Sequence, residues 1–82
     1  MEYEIGYKPH ALRDLDGLSP EVRRRIIDKI EVMRNDLAGD VKRLTRHIPR
    51  YRLRVGDHRV LYDLDGAKID IYRVVHRSKA YD

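Results

Sequence analysis

There is no cysteine among the 82 residues, and the four histidines, His10, His47, His58 and His76, are scattered without an i, i+4 pair. The first absence excludes the cross-linked secreted scaffolds and suits a reducing compartment. Together the two leave nothing to start a tetrahedral zinc site. No apolar run approaches the roughly 20 residues a membrane helix needs, and no charged start with an apolar stretch marks a signal peptide. The expectation is one domain over residues 1–82, cytoplasmic, with a small core and no metal or cofactor.

What the chain has in quantity is charge. Lys and Arg number 18 against 14 Asp and Glu, a net charge of +4. Residues 1–41 carry 7 basic and 9 acidic side chains, residues 42–82 carry 11 basic and 5 acidic, so the positive charge belongs to the second half. Thirteen of the 18 are Arg, whose planar fork suits phosphate better than the ammonium of Lys. A polyanion is the first partner to consider, against a merely solubilising excess.

Periodicity supplies the elements. Tyr3, Ile5 and Tyr7 alternate as a first strand, and Pro9 opens a short helix with Ala11, Leu12, Leu15 and Leu18 on one face. Ser19 caps a second helix with Pro20 at its first position; Val22, Ile26, Ile30, Met33 and Leu37 predict about five turns ending at Gly39. Arg23, Arg24 and Arg25 spread around its start as a solvated face, with Arg24 able to pair with Asp28. Residues 40–50 form a basic connection. Tyr51 to Val55, a Gly56-Asp57 turn and His58 to Leu64 form a hairpin, and Asp65-Gly66 leads to a last strand over Ala67 to Val75. The order β-α-α-β-β-β predicts an α+β domain, an antiparallel meander with two N-terminal helices packed on one face.

The hairpin registers place specific residues together. A Gly56-Asp57 loop sets Val55 opposite His58, Arg54 opposite Arg59 and Tyr51 opposite Tyr62. An Asp65-Gly66 loop sets Asp63 opposite Lys68, Tyr62 opposite Ile69, and Arg59 opposite Tyr72. One side then collects Tyr51, Leu53, Val55, Val60, Tyr62, Leu64, Ile69, Ile71 and Val75. The other collects Arg52, Arg54, Arg59, Leu61 and Tyr72, with Val74 and His76 if alternation persists. Like charges directly opposite destabilise a sheet by roughly 0.2–1 kcal/mol. No Glu follows Glu31, Asp63 is taken by Lys68, and Asp70 falls beside Leu61, so the Arg54–Arg59 pair lacks a counterion of its own. An arriving anion explains that pair better than two arginines splayed into solvent, and Tyr72 offers a ring on which a base can stack.

Four segments carry a family resemblance: Y-K-P-H-A-L-R-D-L (Tyr7 to Leu15), G-D-V-K-R-L (Gly39 to Leu44), Y-R-L-R-V-G-D-H-R-V-L-Y (Tyr51 to Tyr62) and V-V-H-R-S-K-A-Y (Val74 to Tyr81). The chain resembles the RelE/ParE superfamily of bacterial and archaeal toxins, in particular its RelE-like branch. The resemblance implies a microbial-RNase-like fold without metal that enters the ribosomal A site, cuts messenger RNA there and is neutralised by a cognate antitoxin. It implies phosphate-stabilising roles for Arg59 and Arg77, backbone-holding roles for Arg52 and Arg54, and a base or stacking role for Tyr81. Two features depart from the family pattern: Lys is common where Arg52 and Arg54 stand, and His58 replaces the aromatic that usually precedes the Arg59 position. Arg does not lose its proton in a protein, so the general base falls to Tyr81 or to His76. His58, on the apolar side by register, reads as a turn residue. Arg46 and Arg50 of the basic connection add RNA contacts. The competing readings are a ParE-like inhibitor of DNA gyrase and a catalytically silent relative that only binds an antitoxin or RNA.

Overall fold

A computed structural model describes residues 1–80. It contains β1 (Glu4–Tyr7), α1 (Pro9–Asp16), α2 (Pro20–Val32), β2 (Val41–Arg43), β3 (Tyr51–Val55), β4 (His58–Asp65), β5 (Lys68–His76) and a 3-10 turn at Arg77–Lys79. The five strands form one sheet in the order β1-β5-β4-β3-β2. β2 to β5 are the expected antiparallel run, whereas β1 lies parallel to β5, so the sheet is mixed. Three reversals separate β2 from β5, so β2 runs opposite to β1. The helix pair therefore returns the chain to the end of the sheet where β1 left it.

β2 corrects the sequence reading, which took residues 40–50 as a connection. A three-residue strand with two basic residues has no alternation to detect; pairing with β3, Val41 opposite Leu53 and Arg43 opposite Tyr51, makes it a strand. The long helix is also shorter than expected. It ends at Val32, and Asp36 and Leu37 take positive φ of 54° and 56°. The segment after it is drawn alongside the N-terminal strand: the Tyr3 amide donates to Arg34 O, the Asp36 amide donates to Met1 O, and the Met1 ammonium pairs with Asp36. Met33 still reaches the core, fully buried.

The helix starts match the sequence signals. Ser19 accepts a hydrogen bond from the Val22 amide, and Pro9 and Pro20 occupy the first helical positions. Arg23 leaves the solvated face on which it was expected. Its Nε donates to Leu15 O at 2.9 Å and its Nη2 to Leu18 O and Asp16 O, so a cation closes the negative C-terminal end of α1. No ion pair joins Arg24 to Asp28 among the described residues.

The core lies between helices and sheet. Ala11 and Leu15 of α1 and Ile26, Ile30 and Met33 meet Leu53, Val55, Val60, Tyr62, Ile69, Ile71 and Val74. Val74 takes the place expected for Val75, because the β4–β5 ladder shifts between Leu61 and Tyr62. Tyr62 is fully buried and stacks on Tyr51 with ring centroids 5.5 Å apart, and its hydroxyl has no hydrogen-bond partner among the described residues. Burial pushes the phenol well above its ordinary pKa. Tyr62→Phe is therefore expected to stabilise the protein by about 1 kcal/mol, since it removes a desolvated and unsatisfied hydroxyl. A thermal melt checks this, and a lower melting temperature than wild type would mean that the hydroxyl is satisfied in solution.

Candidate RNA-contacting face

The β3–β4 register is the expected one, with Arg54 directly opposite Arg59 and Arg52 opposite Leu61. Gly56, at φ +59°, starts the two-residue turn between them. With Asp57 outside the left-handed region, this is the pattern of a type II′ hairpin. Arg52, Arg54 and Arg59 thus share the side of the sheet turned away from the helices. Leu61 also lies on that side and is buried, 5% exposed, outside the cluster that faces the helices; Arg52 and Arg73 face it from the neighbouring strands.

The charges differ in their partners. Arg52 is held by Asp40, Nη1 donating to the backbone carbonyl at 2.8 Å and to Oδ1 at 3.1 Å. Arg59 Nη1 donates to Gly56 O and His58 O, both at 3.0 Å, which folds its guanidinium back over the turn. Among the described residues neither Arg54 nor Arg59 has a carboxylate partner. Arg77 follows β5; its amide donates to Asp57 O, and its guanidinium approaches Asp57 Oδ1 at 3.8 Å across solvent. Arg59 and Arg77 therefore both meet the β3–β4 turn.

The β4–β5 register is not the expected one. The loop is Gly66-Ala67, with Asp65 opposite Lys68 and Tyr62 opposite Ile71, and the bulge then sets Leu61 opposite Arg73 and Arg59 opposite Val75. Tyr72 therefore does not face Arg59, and instead its ring carries the Lys8 ammonium, 5.5 Å from the centroid. Asp63 faces Asp70, not Lys68: Arg50 bonds Asp63 through its amide and its Nε, each at 3.0 Å, and Lys68 lies 3.4 Å from Asp70. Both carboxylates on this side are thus occupied by other cations. Arg46 is exposed in the 44–50 loop. Tyr81 lies outside the described residues.

His76 faces His58 across the ladder, their rings edge to face at 5.7 Å. Its Nδ1 accepts from the Ser78 amide at 3.2 Å and lies 2.9 Å from Ser78 Oγ. Because an amide only donates, the neutral ring carries its proton on Nε2. His76 is thus built as the cap of the turn bearing Arg77. Burial lowers the His58 pKa, repulsion from His76 and Arg59 adds to this, and Asp57 opposes it. A lowered folded value means that stability is full above about pH 6.5 and falls as pH drops through the folded pKa. Melting temperature is expected to decline from pH 7.5 to 5, and His58→Gln should flatten that decline; an unchanged profile would assign it to other groups.

Asp14 and Arg73, absent from the sequence-based set, form the pair that holds the bulge. Asp14 Oδ2 accepts from Arg73 Nε at 2.7 Å and from the Val74 amide at 2.9 Å, and Oδ1 accepts from Arg73 Nη2 at 3.3 Å. Burial alone would raise the Asp14 pKa, but the bonds from Arg73 and Val74 and the nearby positive charge hold it below its ordinary value. No sequence signal marked this pair, because the partners lie 59 residues apart.

The arginine face is an open surface, suited to a polymer. A depression of about 520 Å³ lies at the opposite end of β4, lined by Glu2, Tyr3, Glu4, Arg34, Asp65, Ala67 and Lys68, and mixes both signs of charge. No helix of the described residues is long and apolar enough to cross a membrane.

This fold and motif set defines a toxin of the type II toxin–antitoxin class. The family described as "ParE toxin of type II toxin-antitoxin system, parDE" matches residues 5–81, and the chain belongs to the RelE/ParE toxin superfamily. Within it the chain is similar to Toxin RelE3 of Methanocaldococcus jannaschii, 34% identical over 76 residues that span 87% of this chain and 86% of the relative. It superposes on a chain of the toxin–antitoxin complex RelBE2 from Mycobacterium tuberculosis with a TM-score of 0.80 and 26% identity, covering 94% of this chain and 100% of that one. A chain of the RelB–RelE antitoxin–toxin complex from Methanococcus jannaschii matches with a TM-score of 0.73 and 29% identity, over 88% and 89% of the two. RelE-like relatives are thus favoured over ParE-like ones.

Proposed function

We propose that this toxin is an endoribonuclease that cuts messenger RNA in the ribosomal A site and so stops translation. The observation that carries the reading is the Arg54–Arg59 pair, two cations directly opposite each other on neighbouring strands without a carboxylate among the described residues. A phosphodiester supplies the missing charge. In the reaction a 2′-hydroxyl attacks the adjacent phosphorus, the 5′-oxygen leaves, and negative charge grows on the phosphoryl oxygens. Catalysis then rests on in-line orientation and on cations aimed at that charge. Arg59 and Arg77, on either side of the β3–β4 turn, take the phosphate, and Arg52 and Arg54 hold the strand. Tyr81 serves as base or stacking partner. His76 suits the base role less well, since its acceptor nitrogen is engaged by Ser78. Solved relatives in complex with antitoxins support an antitoxin as partner.

Gyrase inhibition is the second reading, favoured by the description of the matching family. Inducing the chain in bacteria and mapping messenger ends separates the two: cuts inside translated codons support cleavage, and DNA damage with intact messenger overturns it. Binding to ribosomes or RNA is expected to weaken steeply with salt, each lost phosphate contact lowering the slope of log K against log salt by about 0.7 for single strands. Arg46→Ala and Arg50→Ala should each lower affinity and slope while leaving the cleavage step itself unchanged. Equal affinity at 50 and 200 mM salt would remove the electrostatic basis of the reading.

A further inference from the structure

Of the three arginines that open α2, Arg23 closes the end of α1 and Arg24 is exposed. Arg25 is exposed as well but has a particular neighbour. A Cβ built on Gly56 would lie 3.3 Å from its Nη1, 3.4 Å from its Nη2 and 3.5 Å from its Cζ. The two Nη atoms are the nearest, so the guanidinium end of Arg25 reaches the β3–β4 turn beside the glycine. None of its donors has a hydrogen-bond or ion-pair partner among the described residues. Arg59 bonds the carbonyl of that same glycine from the opposite side of the sheet.

One two-residue turn therefore gathers three guanidiniums, with Arg54 two residues before it on β3. Arg59 comes from β4, Arg77 from the segment after β5 and Arg25 from the helix layer, against the single carboxylate of Asp57, itself exposed and only loosely paired. Glycine suits the position, since a Cβ there would crowd the guanidinium at 3.3 Å and would be strained at φ +59°. An unpartnered guanidinium beside this turn presents the paired donors that match phosphate oxygens.

We infer that Arg25 binds an RNA phosphate next to the one held by Arg59 and Arg77, so that the anion site wraps round the end of the sheet from its open face onto α2. This rests on the ribonuclease reading and extends it to a contact outside the scissile group. The phosphate belongs either to the messenger strand or to ribosomal RNA, with the same chemistry of recognition.

The test uses wild type, Arg25→Ala, Arg25→Lys and Arg24→Ala, with thermal melts confirming that each folds. Binding is measured between 50 and 200 mM salt to a fully 2′-O-methylated RNA 12-mer, which cannot be cut, and to ribosomes without messenger. Arg25→Ala is expected to bind about 3- to 10-fold more weakly on one of these, with a slope lower by about 0.7, and Arg25→Lys to recover part of the loss. Arg24→Ala, the neighbouring exposed arginine on the same helix, should lose less than 2-fold. Loss on the 12-mer assigns the phosphate to the messenger strand, and loss on ribosomes alone assigns it to ribosomal RNA. If Arg25→Ala matches Arg24→Ala on both while wild type cuts messenger on programmed ribosomes in a parallel assay and Arg59→Ala does not, the Arg25 inference falls and the ribonuclease reading stands. If wild type binds neither, both fall.

Discussion

Arg59→Ala is expected to lower the rate of messenger cleavage by about 10²- to 10³-fold, the scale of removing one preorganised donor from a developing negative charge. The protein should remain folded. Arg59 faces Arg54, so its loss relieves a like-charge pair worth roughly 0.2–1 kcal/mol, and of the two carbonyls it leaves, that of Gly56 is exposed to water and that of His58 is only part-buried. Single-turnover cleavage on programmed ribosomes together with a thermal melt gives the answer. Retained cleavage with a clear drop in melting temperature would make Arg59 a brace for the turn.

The second large effect is on stability. β1 stops pairing at Tyr7 opposite Ile71, so beyond that point the outer edge of β5 has no strand beside it. The Val74 amide and the Arg73 guanidinium both depend on Asp14 there. Asp14→Ala would strand a part-buried amide and a cation together, a loss of about 2–4 kcal/mol and roughly 10–20 °C in melting temperature for a domain of this size. Asp14→Asn keeps an acceptor for Val74 and should lose less. With its folded pKa held low, the Asp14 carboxylate stabilises the fold above about pH 3.9 and stops doing so as pH falls through the folded value. The gap in stability between wild type and Asp14→Asn should therefore close in acid. A gap that persists at pH 2 would point to shape, not charge.

The hairpin that carries Arg54 and Arg59 was legible because both its strands alternate and a Gly-Asp pair fixes a two-residue loop between them. The next hairpin was not. Type II′ turns place glycine first, so Gly66-Ala67 is the loop, where Asp65-Gly66 had been expected. That error displaces every partner by two positions, which preserves the face of each side chain, and Ile69 and Ile71 point inward as expected. The bulge then adds one residue and reverses the phase beyond it: Val74 enters the core in place of Val75, and Tyr72, the residue the ladder skips, loses its place opposite Arg59 and carries Lys8 instead. An extra residue held by a carboxylate from another element leaves no trace in periodicity. Arg23 and Arg25 were hidden for a related reason, since a run of three arginines looks alike in sequence while each guanidinium reaches a different neighbour.

The parallel pairing of β1 with β5 also bears on when the molecule comes into being. Glu4 finds its partner at Lys68, 64 residues later (68 − 4), and β5, which lies between β1 and β4, is made after every other strand described here. At about 5–20 residues per second of synthesis, the first strand waits roughly 3–13 s for a neighbour. The β3–β4 hairpin, with its arginines, is complete at Asp65, while the strand that must join it to β1 is still to be made, so the core cannot close before β5 emerges. The ribosome that makes this protein thus completes nearly all of it before the arginine face has a folded body to stand on.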